Sequence, residues 1–438
     1  MKVLKFGGTS VGSAQKIQEV AKIVNDGVPK IVVLSAMSGT TNFLVEIVNL
    51  LYGSKKVEAI DKINHLKKQY EIVVNELYKS VEYKTKGQEL INHHFDFMAS
   101  FTQDSFTIYE ERALLAQGEL ISSAFLYYHL LEIGIKTALI PALNYMRIDK
   151  SQEPDEFYIK QNLVREVKSH NGIELFVTQG YICRDAYGEI DNLKRGGGDY
   201  SASLVGAAIG ADEIQIWTDI SGFHNNDPRF VQNTRSIKEL SFDEAAELAY
   251  FGAKILHPSS VLPAKNANIP VRLKNTMKPQ DEGTLITDSF IQGEIKAVAA
   301  KDGITAVKIK SGRMLLAYGF LRQVFEIFER YRTPIDMITT SEIAVSVTID
   351  DPTNLKDILS DLKKYAIVEV DENQTIICVV GNFSADQKGI IVKVMDALKE
   401  VPIRMVSYGG SMHNISLLVN TSDKVKALNM LNDNLFKI

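Results

Sequence analysis

The stretch Val3-Leu4-Lys5-Phe6-Gly7-Gly8-Thr9-Ser10 constrains the fold more than any other. A short apolar run reads as a strand. A glycine pair follows, and then a helical pattern with Val11, Ile17, Val20, Ile23 and Val24 on one face. Strand, glycine turn and helix in that order open an α/β fold. Glycines let a backbone approach a ligand closely, and the N–H groups at a helix start attract anions. Lys5, placed directly before the turn, adds a positive charge, so the combination suits a phosphate. An ordinary βα turn with a surface lysine has the same pattern, and the motif alone does not decide between them. It is not a Walker A loop: Gly7 and Gly12 have that spacing, but Ser13 stands where the lysine belongs.

The plan then repeats. Ile31-Val32-Val33-Leu34 is apolar throughout, as expected of a strand buried on both faces. It runs into the small polar loop Ser35–Asn42 and a helix starting near Phe43. Two such units predict a mainly parallel sheet with ligands gathered at the C-terminal ends of its strands. From about residue 55 to 134 the pattern is helical. Within it, Glu119 lies on the shoulder of a stripe formed by Leu115, Ser122 and Leu126. A carboxylate there is costly unless it is paired, binds a ligand or snorkels out to water.

Strand-like segments at 136–140 and 175–177 precede Leu193-Lys194-Arg195-Gly196-Gly197-Gly198-Asp199, which enters a small-residue helix. Three glycines before a helix form a second anion-cradling turn, and Arg195 has the fork that grips carboxylate or phosphate. Asp199 also reads as the helix N-cap. Residues 214–217 form another strand, ending at Thr218-Asp219, and a turn-rich loop runs from Gly222 through His224 to Arg229. Ser241 and Glu244 make a capping-box pattern for a helix through Phe251 that Gly252 stops. Lys254 follows, then His257-Pro258, which reads as structural.

Composition shifts at 277–293, rich in Pro, Gly and polar residues, and the main domain boundary is placed there. Beyond it lies a weak tandem repeat, two βαββα patterns in which Thr333-Pro334-Ile335-Asp336-Met337 aligns with Val401-Pro402-Ile403-Arg404-Met405. Net charge of −5 without a long basic run argues against nucleic acid or an anionic membrane as partner. No apolar run is long enough for a transmembrane helix and no signal-peptide pattern opens the chain, so a cytoplasmic protein is expected. Cys183 and Cys378, far apart in sequence, are expected to be reduced buried thiols.

These stretches together resemble the aspartokinase family, a branch of the amino-acid kinases. The matching segments are Lys5–Val11, Ser35–Asn42, Gln117–Ile121, Arg195–Ser203, Trp217–Gly222, Asp227–Arg229, Phe251–Pro258, Gly319–Phe325, Ile335–Glu342 and Tyr408–Val419. They cover nearly the whole chain in the right order. The resemblance implies an α/β fold: an αβα sandwich with a mainly parallel sheet at 1–285, then two ferredoxin-like ACT domains at 303–371 and 372–438. A strand from 294–302 would complete the second. It also implies ATP- and Mg²⁺-dependent phosphorylation of the L-aspartate β-carboxylate to 4-phospho-L-aspartate, the first step toward lysine, threonine and methionine.

By resemblance, Lys5, Gly7 and Gly8 hold the transferred phosphate, with Asp199 and Lys254 beside the chemistry. Ser35, Thr41, Glu119, Arg195, Gly196 and Gly197 bind aspartate. Thr218, Asp219, His224, Arg229 and Lys254 join Lys5, Gly7 and Gly8 on ATP. No protein metal ligands are expected, because Mg²⁺ rides on the ATP phosphates. A lysine effector is expected in the first ACT unit, at a homodimer interface, on Met314, Gly319, Phe320, Leu321, Asp336, Thr340 and Ser341. Gly319 opens a helix toward a carboxylate and Asp336 offers a charge to an ammonium; alternatively Met314, Phe320 and Leu321 are core, Asp336 caps a turn and the ACT pair only dimerises. Three residues depart from the family pattern: Gly198 and Ala317, each where a serine is usual, and His224, where an aromatic is usual.

The chemistry is consistent with these residues. The β-carboxylate, with an ordinary pKa of ~3.9, is ionised at neutral pH, so no general base is needed. Bringing two anions together is the difficulty, and cations meet it. Nothing after the ACT repeat accommodates a fused dehydrogenase, so a monofunctional enzyme is expected. The alternatives are a non-catalytic amino-acid sensor on the same scaffold and a kinase acting on another amino acid such as glutamate.

Overall fold

A computed structural model describes residues 1–193, 196–252, 256–289, 294–311, 318–383 and 387–436. The chain divides into two compact units. The first comprises Met1–Phe223 and Leu256–Asp288; the second comprises the described residues of 224–255 and 289–438. The contact boundary therefore differs from a single cut after residue 285, since the segment after Phe223 packs with the later part of the chain.

The first unit is built on strands β1 (Lys2–Phe6), β2 (Lys30–Leu34), β3 (Thr137–Leu139), β4 (Leu175–Gln179), β5 (Glu213–Thr218), β6 (Val271–Asn275) and β7 (Thr284–Thr287). They run side by side in the order β3-β4-β2-β1-β5-β6-β7. All neighbours are parallel except β7 on β6. The fully apolar runs at 3–4 and 31–34 follow from this position, because central parallel strands are covered on both faces. Leu4, Phe6, Val32, Leu34 and Val177 share one core with helices α1 (Ala14–Val24), α2 (Thr40–Tyr52) and α3 (Gln117–Glu132) and with two long helices at Lys56–Leu77 and Val81–Ser100. Val3, Ile31 and Val33, the alternate residues, are also fully buried. Helix α4 (Gly197–Ile209) packs on β1, β2 and β5. Its small residues have a purpose: a Cβ on Gly206 would lie 2.4 Å from Ile214 Cδ1.

The start of the first helix differs from expectation. Gly8–Ser10 is a short 3₁₀ turn, and α1 begins only at Ala14, capped by Ser13, whose Oγ accepts from the Lys16 N–H at 3.3 Å. Val11 therefore precedes the helix. The glycine pair sits on the tight turn, not at an α-helical N-terminus, because Ser13 is the better cap.

The second unit carries an antiparallel six-stranded sheet. Its long strand β8 (Ile295–Lys310) is shared. Ile295–Lys301 pairs with the end of β11 (Ile367–Gly381), while Thr305–Lys310 pairs with both β10 (Ala344–Ile349) and the start of β11. β9 (Ile338–Thr340) flanks β10, and β12 (Ile403–Tyr408) flanks β13 (Asn414–Asn420), which pairs with β11. Two cores follow from the repeat. One holds Phe320, Val324 and Phe328 of helix α6 (Phe320–Arg330); the other holds Ile390 and Val394 of Ile390–Ala397 and Leu428 of Lys424–Leu435. Helix α5 (Phe242–Phe251) also belongs to this unit, and its Ser241–Glu244 capping box is formed in both directions. Cys183 and Cys378 are both buried and free. Among the described residues, no helix is long and apolar enough to cross a membrane.

Candidate active site

The parallel order of β4, β2, β1 and β5 brings their C-terminal ends to one edge of the sheet. Backbone hydrogen bonds continue past the strand ends and fix the loops there. Gly7 N–H donates to the Trp217 carbonyl (3.2 Å), Ser35 N–H to Phe6 (3.2 Å) and Gly180 N–H to Leu34 (2.8 Å). Because the Gly7 N–H is thereby occupied, it does not offer the free donor expected from the glycine turn.

Lys5 points up from this edge. Its Nζ lies 2.6 Å from Asp199 Oδ1, and both side chains are nearly buried, at 12% and 13% exposed. The same Nζ lies 3.6 Å from where a Cβ on Gly7 would be. Asp199 is not the cap of α4. Gly196 takes that place with a left-handed φ of 66°, and a Cβ there would meet Ser260 Cβ at 2.7 Å. Gly197, also at positive φ, opens the helix. With the turn made by glycines, the aspartate falls in the first helical turn and faces Lys5. Arg195 and Lys254 lie outside the described residues.

Gly198, one of the departures, has a packing reason. A Cβ at this position would come within 2.8 Å of Ser35 Oγ and 2.9 Å of Lys5 Cε. Both are side-chain and not backbone atoms, so Gly198→Ser should fold and leave the melting temperature within a few degrees. We expect it to lower kcat about tenfold by displacing the Lys5 arm, since small misplacements at a reacting centre are costly. An unchanged kcat would show that Lys5 accommodates the extra atom.

Glu119, in the first turn of α3, is 5% exposed and does not snorkel. Burial pushes its carboxyl up to about 7, against the opposing pull of the Ala36 and Glu119 backbone N–H groups and of the nearby Lys5 charge. Among the described residues no ion pair engages this carboxylate, so it is poised for an incoming cation. Ser35 and Thr41 sit on the adjoining loop and the first turn of α2, with Thr41 exposed.

Three supports of the loops at this edge are not evident from the sequence. Ser122 Oγ donates to the Ser35 carbonyl at 2.8 Å. Thr40 Oγ1 and Tyr70 Oη are hydrogen-bonded at 2.7 Å in the core. Ser201 Oγ accepts from the Tyr181 N–H at 2.8 Å, and Tyr181 has a φ of 67°. Only Ser122 had a legible signal, a hydroxyl in an apolar stripe three residues after Glu119.

Thr218 ends β5 and its Oγ1 donates to Asp219 Oδ1 at 3.2 Å. In the second unit, Arg229 is exposed and held by Asp227, with Nη2 to Oδ2 at 2.6 Å. His224 Nδ1 is 3.1 Å from Thr234 Oγ1, and burial lowers the pKa of its imidazole. His257, read as structural, caps the 3₁₀ turn Pro258–Val261.

The effector residues are placed unevenly. Met314 and Ala317 lie outside the described residues. Gly319, at φ 87°, precedes α6, and no described residue lies within 4 Å of where its Cβ would be; Thr340 and Ser341 are exposed. Phe320 is 8% exposed and belongs to the core, so its ring is not a free contact; Leu321 is 38% exposed. Asp336 is not a free charge either. Lys301 Nζ lies 2.9 Å from its Oδ1, and the Tyr250 hydroxyl donates to the same oxygen at 2.6 Å.

Comparison with known proteins agrees with this architecture. The sequence model of the amino acid kinase family matches residues 1–275, and that of an ACT domain matches 377–435. Lysine-sensitive aspartokinase 3 of Escherichia coli K12 is 33% identical over 99% of each chain. The chain belongs to the aspartokinase family. Chloroplastic aspartokinase 2 of Arabidopsis thaliana is 32% identical, over 99% of this chain and 84% of the plant protein. Among solved structures, E. coli aspartokinase III in complex with lysine and aspartate superposes with a TM-score of 0.84 at 31% identity, covering all of both chains. The same enzyme with aspartate and ADP gives 0.81, again at 31% identity and full coverage. In this chain the amino acid kinase match precedes the ACT match.

Proposed function

We propose that the chain transfers the terminal phosphoryl group of ATP to the β-carboxylate of L-aspartate, giving 4-phospho-L-aspartate. The observation that carries this reading is the pairing, at one edge of a parallel sheet, of a nearly buried ammonium (Lys5) with a buried carboxylate that feels its charge (Glu119). Glu119 receives the aspartate ammonium and Arg195 its α-carboxylate. Lys5 sits where the two anions meet and neutralises charge on the transferred group, while Asp199 holds its Nζ in place. Thr218 and Asp219, at the end of β5, are assigned to the nucleotide, with Mg²⁺ carried on its phosphates. The acceptor is already ionised, so no residue need remove a proton.

The test is trapping of the acyl phosphate as hydroxamate with ATP, Mg²⁺, aspartate and hydroxylamine. Coloured product is expected with aspartate and not with glutamate. No hydroxamate under any effector condition would support a sensor in place of an enzyme.

The enzyme acts in the cytoplasm as a homodimer formed through its ACT region, at the head of the aspartate-derived amino-acid pathway. L-lysine is its feedback inhibitor, taken up around Gly319, Asp336, Thr340 and Ser341. Millimolar lysine should lower activity, with a coupling of ~1–3 kcal/mol between the lysine and aspartate sites. Inhibition by threonine and not by lysine in a steady-state assay would reassign the effector.

A further inference from the structure

We infer that Lys301 is a built-in competitor for the effector's ammonium, and that it sets the affinity of the regulatory site. The inference rests on Asp336 being the carboxylate that receives that ammonium.

The Asp336 side chain is 1% exposed. Its backbone is pinned by a hydrogen bond from its N–H to the Thr348 carbonyl (2.9 Å), so the carboxylate cannot swing far to meet a ligand. Lys301 Nζ lies between two carboxylates, 2.9 Å from Asp336 Oδ1 and 2.8 Å from Asp350 Oδ2. It also sits 4.3 Å from the centre of the Tyr250 ring, whose hydroxyl donates to the same Asp336 oxygen. Lys301 is positioned by the sheet. It lies at the irregularity in β8 where pairing with the second repeat gives way to pairing with the first. Asp336 Oδ2, in contrast, is buried with no hydrogen-bond partner among the described residues.

The arrangement resembles a ligand site that already holds half of its ligand. One oxygen carries an internal ammonium and a phenol; the other is buried and unused, which is costly for a carboxylate. An incoming ammonium has two options. It takes Oδ1 by displacing Lys301, or it takes Oδ2 and shares the carboxylate with Lys301 at a distance where two cations repel. Both routes weaken binding for the same reason, the Lys301 charge. Removing that charge should therefore tighten binding of a cationic effector.

The experiment is titration calorimetry of L-lysine into the full-length protein and its Lys301→Met, Lys301→Gln and Lys301→Arg variants, with steady-state inhibition measured alongside. The two neutral variants should bind lysine about tenfold more tightly and be inhibited at correspondingly lower concentration, with uninhibited turnover unchanged. Lys301→Arg, which keeps the charge, should stay near the parent. Two neutral variants are used because either side chain alone could pack poorly, and thermal melts confirm folding. Lysine binding by a neutral variant where the parent shows none would also support the inference. If the parent binds lysine and the folded neutral variants bind it equally or more weakly, the competition is wrong while the effector reading stands. If neither parent nor variants bind lysine, the effector reading itself fails, and the inference with it.

Discussion

Lys5→Ala should lower turnover by about two to three orders of magnitude at saturating ATP and aspartate, the usual cost of deleting one transition-state charge partner. The structure adds a reason beyond the charge itself. Lys5 is held by Asp199 at 2.6 Å, with both groups largely shielded from water. Its ammonium is therefore already in place before substrates arrive, and no reorganisation is needed when charge moves in the reaction. Removing it leaves Asp199 buried without its partner. Losing one member of a buried pair costs more than the pair contributes, and ~3 kcal/mol of stability is at risk. The two effects separate in measurement. Turnover reports the first, and a thermal melt the second. Lys5→Ala combined with Asp199→Asn should recover part of the stability and none of the turnover. Near-normal turnover in folded Lys5→Ala would remove Lys5 from the chemistry.

That pair also shows where the sequence was legible and where it was not. Lys5 and the glycine turns can be read because they are local: a residue type, a spacing and a strand-to-helix boundary. The parallel sheet is legible for the same reason, since Ile31–Leu34 is apolar on both faces and only a covered strand tolerates that. The helix Phe242–Phe251 is announced by the capping box of Ser241 and Glu244. Asp199 was ambiguous because a cap and an ion-pair partner look alike in one dimension. Only three dimensions show that Gly196 takes the turn and leaves the carboxylate to Lys5, 194 positions earlier in the chain. The Thr40–Tyr70 bond and the Lys301–Asp336 pair were invisible for that reason too. Each joins side chains 30 or more positions apart in the chain. Asp336 shows the hazard of assigning charge by motif: a carboxylate that looks available in sequence already has a partner, Lys301.

Glu119→Gln should weaken aspartate binding and strengthen the fold at the same time. In the absence of substrate, burial raises the Glu119 carboxyl from the ordinary 4.5 to about 7. Below pH ~4.5 it is protonated in both folded and unfolded chains and imposes no penalty. Between there and pH 7 the folded chain keeps a proton that the unfolded chain has lost, so stability falls as pH rises through this window. Above pH 7 the folded chain must hold a bare buried carboxylate, and the full penalty, on the order of 3 kcal/mol, is present. Glutamine removes it. The variant should therefore melt several degrees higher than the parent at pH 8, and the gap should close as the pH is lowered toward 4.5. Aspartate should reverse the order. Its ammonium supplies a positive partner, so the parent gains more stability on binding than the variant at the same aspartate concentration and releases a proton near neutral pH, while the variant releases none. Losing a charge-assisted hydrogen bond of roughly 1.5–3 kcal/mol should raise the KM for aspartate about 10- to 100-fold and leave that for ATP near normal. The parent's own aspartate affinity should decline below pH 7 as Glu119 takes up its proton, and the variant should show no such step. A glutamine variant no more stable at pH 8, or one whose aspartate affinity keeps the parent's pH step, would move the substrate ammonium to another group. Stability given up at this position in return for substrate binding is the trade expected of an active-site carboxylate, and a structural glutamate would show the opposite sign.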